Sequence, residues 1–241
     1  MIVKKRDAQF EVIRALDEQA ELTNDKLKRS ACISAASRLR ADSTTQRATE
    51  LIDFHFGQSE KWAVIHDLRL RIGGHAVQIN HLLIDDALRV VCMDSRFLSY
   101  GIELGSDGQC MAMNSVETRV IASPLNKMAK DVRMMRGFLE GRDWSPSRFG
   151  MRQKPTVCGF VLTNPDIEQP KFRSPSPDMG VFQSEAIIAK LLKRQQQRAW
   201  LNTGKLSAEA LLDVAKVFVD GHMPIFPEAL LLGETEGVVA T

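Results

Sequence analysis

The stretch QINHLLIDDALRVVCMDSR, residues 78–96, reads as two apolar strands joined by an acidic turn, IDDA. Side chains alternate faces along a strand, so Gln78 and Asn80 share one direction, which His81 and Leu83 do not. By the same parity Asp94 and Arg96 project together from the second strand. If the strands pair around the turn, an amide, a carboxylate and a guanidinium converge on one patch.

Before the hairpin, WAVIHDLRL (62–70) places Trp62, Val64, His66, Leu68 and Leu70 on one face, and Gly73-Gly74 supplies a turn. After it, GIELGSDGQCMAM (101–113) carries the turn signal Ser106-Asp107-Gly108. The four strands are expected to form an antiparallel meander. Helical spacing returns in SPLNKMAKDVRMMRGFL (123–139), with Ser123 as cap, Pro124 in the first turn, and Leu125, Met128, Ala129, Val132, Met135 and Leu139 facing inward. A loop (142–155), a buried strand TVCGFVLT (156–163) and an irregular proline-rich run (164–180) follow. Two helices end the fold, SEAIIAKLLKRQQQRAW (184–200) and SAEALLDVAKVFVD (207–220), the latter stopped by Gly221.

Upstream, residues 6–40 form a helical hairpin with stripes Phe10, Ile13, Leu16 and Leu27, Ala31, Ala35, Leu39, broken and capped by Thr23-Asn24-Asp25. A third helix carries Ala48, Leu51, Ile52, His55 and Phe56, ending at Gly57. The whole reads as an α/β fold with a mixed central sheet flanked by helices and an N-terminal helical hairpin. Three parts are expected: an appendage (1–42), the main domain (43–165), and a C-terminal loop and helices (166–241) packing on that domain.

Composition bounds the reading. A chain of 241 residues with 44% hydrophobic and 26% charged residues can bury a substantial core, and a net charge of +2 neither demands nor excludes an anionic partner. The four cysteines show no CxxC or zinc spacing, and Cys92 and Cys158 read as core residues in a reducing compartment. No secretory leader or membrane span is evident, so a cytoplasmic protein is expected. No glycine-rich phosphate loop is present.

The run from WAVIHDLRL through QINHLLID, VVCMDSRF, GIEL and GQC to SPLNKMAKDVRMMRGFL, about residues 43–140, resembles the nuclease-related domain (NERD) family. That family is a branch of the PD-(D/E)xK nuclease-like superfamily, so the resemblance implies a restriction-endonuclease-like sheet. It also implies phosphodiester cleavage by a divalent metal held between an aspartate on one strand and a glutamate on the next. A lysine two residues after the glutamate assists, often with an acid on the preceding helix. Mg²⁺ prefers such hard oxygen ligands and lowers the pKa of a bound water.

Here the pattern departs. Asn80 stands where the family has aspartate, and Asp94-Ser95-Arg96 where it has glutamate-x-lysine; Glu50 is the nearby helix carboxylate. An amide in place of a carboxylate removes a full charge beside a dication, and arginine cannot act as a base. The expected metal ligands are Asp94 and Asn80, holding Mg²⁺ or Mn²⁺ weakly or not at all. Gln78, Asn80, Asp94, Arg96 and Glu50 form the candidate catalytic set.

The structural alternative is a satisfied polar cluster in which Asn80 and Asp94 pair with backbone or with Arg96. Gln78 then serves as a strand-edge amide and His81 as a hydrogen-bonded core histidine. Lys127, Lys130, Arg133 and Arg136 on one helix, and Lys190, Lys193, Arg194 and Arg198 on another, are candidates for neutralising nucleic-acid phosphates or are simply solvated faces. Three functions follow. The first is a nuclease-related protein with a degenerate metal site that binds nucleic acid, or serves as an assembly component. The second is an active metal-dependent DNA endonuclease, and the third a structural protein that oligomerises through its N-terminal helices.

Overall fold

The computed structural model describes residues 1–7, 9–40, 42–96, 102–104, 110–113, 118–121, 123–140, 142, 144, 154–163, 178–198 and 205–224. Its central feature is a mixed six-stranded sheet in the order β1 (Ile2–Lys4), β2 (Trp62–Ile72), β3 (His75–Asp85), β4 (Arg89–Arg96), β8 (Thr156–Thr163), β9 (Met179–Gln183). β2, β3 and β4 run antiparallel, whereas β1, β8 and β9 join in parallel with their neighbours. Between β4 and β8 the chain forms a separate antiparallel sheet of β5 (Ile102–Leu104), β6 (Cys110–Met113) and β7 (Thr118–Ile121), then helix α4 (Pro124–Glu140). The remaining helices are α1 (Gln9–Leu22), α2 (Lys26–Arg40), α3 (Ser43–Phe56), α5 (Ser184–Arg198) and α6 (Ala208–Asp220). No helix among the described residues is long and apolar enough to cross a membrane.

Local chemistry sets the hairpins. Gly73 and Gly74 take φ of 56° and 81°, which matches a two-residue turn between right-twisted strands. At the other turn Asp85 Oδ1 accepts from the main-chain N–H groups of Ala87 and Arg89. Helices cover both faces of the sheet. On one face Leu125, Met128, Val132 and Met135 of α4 and Leu211 and Phe218 of α6 pack on Ile65, Leu68, Ile79, Leu82 and Cys92. On the other, Ala48, Ile52 and Phe56 of α3 and Ile187 and Leu191 of α5 pack on Trp62, Val64, Leu83, Val91 and Met93.

Four expectations need correction. The fourth strand of the meander is absent from the main sheet: β4 pairs along its full length with β8, from Arg89 with Thr156 to Arg96 with Thr163. β8 is buried on both faces and offers far more apolar surface than the three-residue β5, whose Glu103 is exposed. The turn residues Ser106-Asp107-Gly108 lie outside the described residues, although β5 and β6 on either side of them do pair. β9 is a strand at the end of the run expected to be irregular.

The single face assigned to residues 62–70 is also broken. Trp62 and Val64 pack under α3 and α5, but Leu68 and Leu70 pack under α4 and α6. Asp67 takes φ of 48° and reverses the alternation, held by bonds from Arg6 Nε (3.3 Å) and the Asp7 N–H (3.1 Å) to its Oδ2. β3 slips correspondingly, because Val77 and Ile79 share a face with Leu82 and Ile84.

The N-terminal hairpin forms, with Leu16, Ala20, Cys32, Ala35 and Ala36 buried inside it. Leu27 is not part of its stripe and is 84% exposed, because repeated steps of four residues drift by about 40° each around a helix. The side chain of Phe10 lies outside the described residues.

Candidate functional site

β3 and β4 pair in register from Ile84 with Val90 to His81 with Met93, and the ladder stops there. At that point Asn80 Oδ1 accepts the Ser95 N–H at 2.9 Å, so a side-chain oxygen takes the place of a main-chain carbonyl where the strands part. Asp94 shares the parity of Val90 and Cys92 and faces α4, where Lys127 Nζ lies 3.4 Å from its Oδ2. Arg96 Nε lies 3.3 Å from the same oxygen. Lys127 also bonds Asp131 Oδ2 at 3.0 Å and the main-chain carbonyl of Gln78 at 3.2 Å. Asp94 and Asp131 are 6% and 5% exposed, so both carboxylates are lodged within the protein.

Gly159 explains how α4 comes so close. A Cβ there would sit 2.5 Å from Val132 Cγ2 and 2.6 Å from Met128 Sδ, so only glycine lets the helix rest on β8. Lys127 and Asp131, each one position before those contacts and one helical turn apart, then reach across to β4. Burial alone pulls the Lys127 ammonium down, but Asp94 and Asp131 outweigh it and its pKa rises. The Asp131 carboxyl is pushed up by burial, with Lys127 opposing.

Asn80, Asp94 and Arg96 thus meet at one place where β3 and β4 adjoin. Gln78, expected to bring its amide to the patch, meets Lys127 only through its main-chain carbonyl; Val77 and Ile79 on either side of it face α4, so by alternation its side chain takes the other face. Glu50 does not: it is exposed on α3, bonded to Gln46 at 2.8 Å, and α3 covers the opposite face of the sheet. Lys127, expected to contact phosphate, is instead held by the two carboxylates. Lys130 and Arg133 are exposed on α4. Lys190 and Lys193 are exposed on α5, on the other face, and Lys190 lies 4.7 Å from the Phe182 ring centroid. The two basic runs therefore occupy opposite layers, and the side chain of Arg198 lies outside the described residues.

Sequence reasoning missed Asp131. Its signal was an acid one position before Val132 in the inward stripe of an amphipathic helix, four residues after a lysine.

A divalent cation does not fit these donors as they stand. Two carboxylates and two cations sum to no net charge, and the Asn80 oxygen is taken by a main-chain N–H. The Lys127 ammonium bridges the two acids, supplying a positive charge from within the chain. No family model, no curated protein and no solved structure matches this chain.

Proposed function

We propose that this protein is a nuclease-related domain of the PD-(D/E)xK type whose metal site has become an internal ion-pair cluster, leaving a nucleic-acid-binding or assembly role. The observation that carries the reading is Lys127 bridging Asp94 and Asp131 while Asn80 caps the Ser95 N–H. The order of α3, three antiparallel strands, α4 and a parallel strand supports it. Phosphate contact then rests on exposed groups such as Lys130, Arg133 and Lys193. The competing reading, an active endonuclease, draws on Asp131 as a second carboxylate beside Asp94 and requires Lys127 to leave.

Supercoiled plasmid with Mn²⁺ separates the two. The unaltered chain is expected to leave the plasmid intact and to retard it in a gel only at low salt. Nicking by the unaltered chain, abolished by Asp94→Ala, overturns the reading. An intact plasmid with no salt-sensitive retention would favour a structural role.

A further inference from the structure

On the α3 side of the same strands, four side chains form a continuous line. Asp53 Oδ1 lies 2.9 Å from His66 Nε2, His66 Nδ1 lies 2.8 Å from His81 Nδ1, and His81 Nε2 lies 3.0 Å from Ser95 Oγ. Both imidazoles are fully buried, while the Asp53 side chain keeps 35% exposure. The histidines oppose one another in the β2–β3 register, His66 on the face of Trp62 and Val64 and His81 on the face of Leu83.

The chemistry fixes every proton. A carboxylate only accepts, and a neutral imidazole donates from one nitrogen and accepts at the other. His66 therefore carries its proton on Nε2, toward Asp53, and accepts at Nδ1. His81 must then carry its proton on Nδ1 and accept at Nε2, which leaves Ser95 Oγ–H as the donor. Any other arrangement of two neutral rings sets proton against proton or lone pair against lone pair. Burial lowers the pKa of both rings, His81 well below its ordinary value, so both stay neutral. The charged groups that bear on them are Asp53 of α3, Asp67 of β2 and Arg6 before α1, with Lys4 of β1 on the His66 carbonyl.

We propose that Asp53, His66 and His81 form a proton relay from the surface of α3 to Ser95, in which the group at position 53 sets the direction of the Ser95 hydroxyl. Ser95 stands between Asp94 and Arg96, so the relay ends at the strand that carries the candidate site. With an acceptor at position 53 the hydroxyl proton is drawn into His81, and the oxygen lone pairs are left for other donors. With a donor there, His66 shifts its proton to Nδ1, His81 shifts its own to Nε2, and the Ser95 proton is released to point elsewhere. Neither imidazole gains or loses a proton overall. The three residues are positioning residues, and the relay is independent of whether the chain binds nucleic acid.

The test is long-range ¹H–¹⁵N correlation NMR on protein labelled at histidine, at neutral pH. The unaltered chain is expected to show His66 protonated at Nε2 and His81 at Nδ1. Asp53→Glu, whose carboxylate still only accepts, keeps both tautomers. Asp53→Lys, which only donates, switches both, including His81, which does not touch position 53. Both substitutions fall on a partly exposed helix position, and Asp53→Arg serves as a second donor variant. His81 protonated at Nε2 in the unaltered chain overturns the relay, as does a His81 that keeps its Nδ1 proton in both donor variants.

Discussion

Asp94 and Ser95 are consecutive residues, yet they face two different solutions to the same problem. Toward α4, Asp94 joins a cluster of full charges in which Lys127 and Arg96 offset two carboxylates. Toward α3, Ser95 ends a line of neutral rings that reaches charge only at Asp53. Both leave polar groups satisfied in the interior, but the first depends on charge balance and the second on proton direction. Removing a charge from one side should therefore cost more than removing a hydrogen bond from the other.

Lys127→Met should be the most damaging substitution. It leaves Asp94 and Asp131 without their shared cation, and breaking a buried pair in this way costs about 3–5 kcal/mol, with the 26% exposure of the lysine favouring the lower end. Chemical denaturation should show this loss, and it should shrink in acid as the Asp131 carboxyl, raised by burial, takes up a proton. An unchanged midpoint would place the cluster in water rather than in the protein. The same variant should bind Mn²⁺ better than the unaltered chain by calorimetry.

Next is Gly159→Val, which thrusts a branched side chain against Met128 and Val132. Overpacking of this kind costs about 1–3 kcal/mol, read as a lower melting temperature. It should also lift α4 and weaken the Lys127 ion pairs, so Gly159→Val and Lys127→Met together should cost less than their sum.

His81→Ala removes the acceptor of the Ser95 hydroxyl and opens space beside it, at about 1–3 kcal/mol in denaturant. The neutral line also predicts the sign of a pH effect. The folded state holds both histidines below 6.5, so between their folded and unfolded values the unfolded chain binds more protons. Stability should be fully present above about pH 6.5 and fall as the pH drops below it, and a His66→Gln, His81→Gln double variant should flatten that slope.

Substitutions of the exposed cations should matter least for stability. Lys130→Ala, Arg133→Ala, Lys190→Ala and Lys193→Ala should each change it by no more than about 0.5 kcal/mol. A cation that neutralises a phosphate should, once replaced by alanine, lower the salt slope of nucleic-acid retention by about one. Because α4 and α5 lie on opposite layers, variants of only one helix are expected to alter that slope.

The two regions were not equally legible. The α4 side was half visible: strand parity placed Asp94 and Arg96 together, but Lys127 was read as a surface cation and Asp131 was passed over. Nothing in residues 123–139 reveals that a glycine 20 positions beyond Leu139 would let the helix settle onto the sheet. On the α3 side, His81 was legible as a hydrogen-bonded core histidine. Its partner His66 is legible on one face with Trp62 and Val64, but the same alternation adds Leu68 and Leu70 to that face, because it carries no sign of the reversal at Asp67.

What could be read from the chain alone is local. Periods of two and 3.6, the Gly73-Gly74 turn, the acidic turn after Ile84 and the stop at Gly221 placed most elements, since each depends on neighbours a few residues away. The folded arrangement was needed to show which strand borders β4, which face each half of β2 presents, and which helix supplies the cation for Asp94. Those outcomes depend on pairs such as Arg6 with Asp67 and Gly159 with Val132, made between residues that the chain separates by 61 and 27 positions.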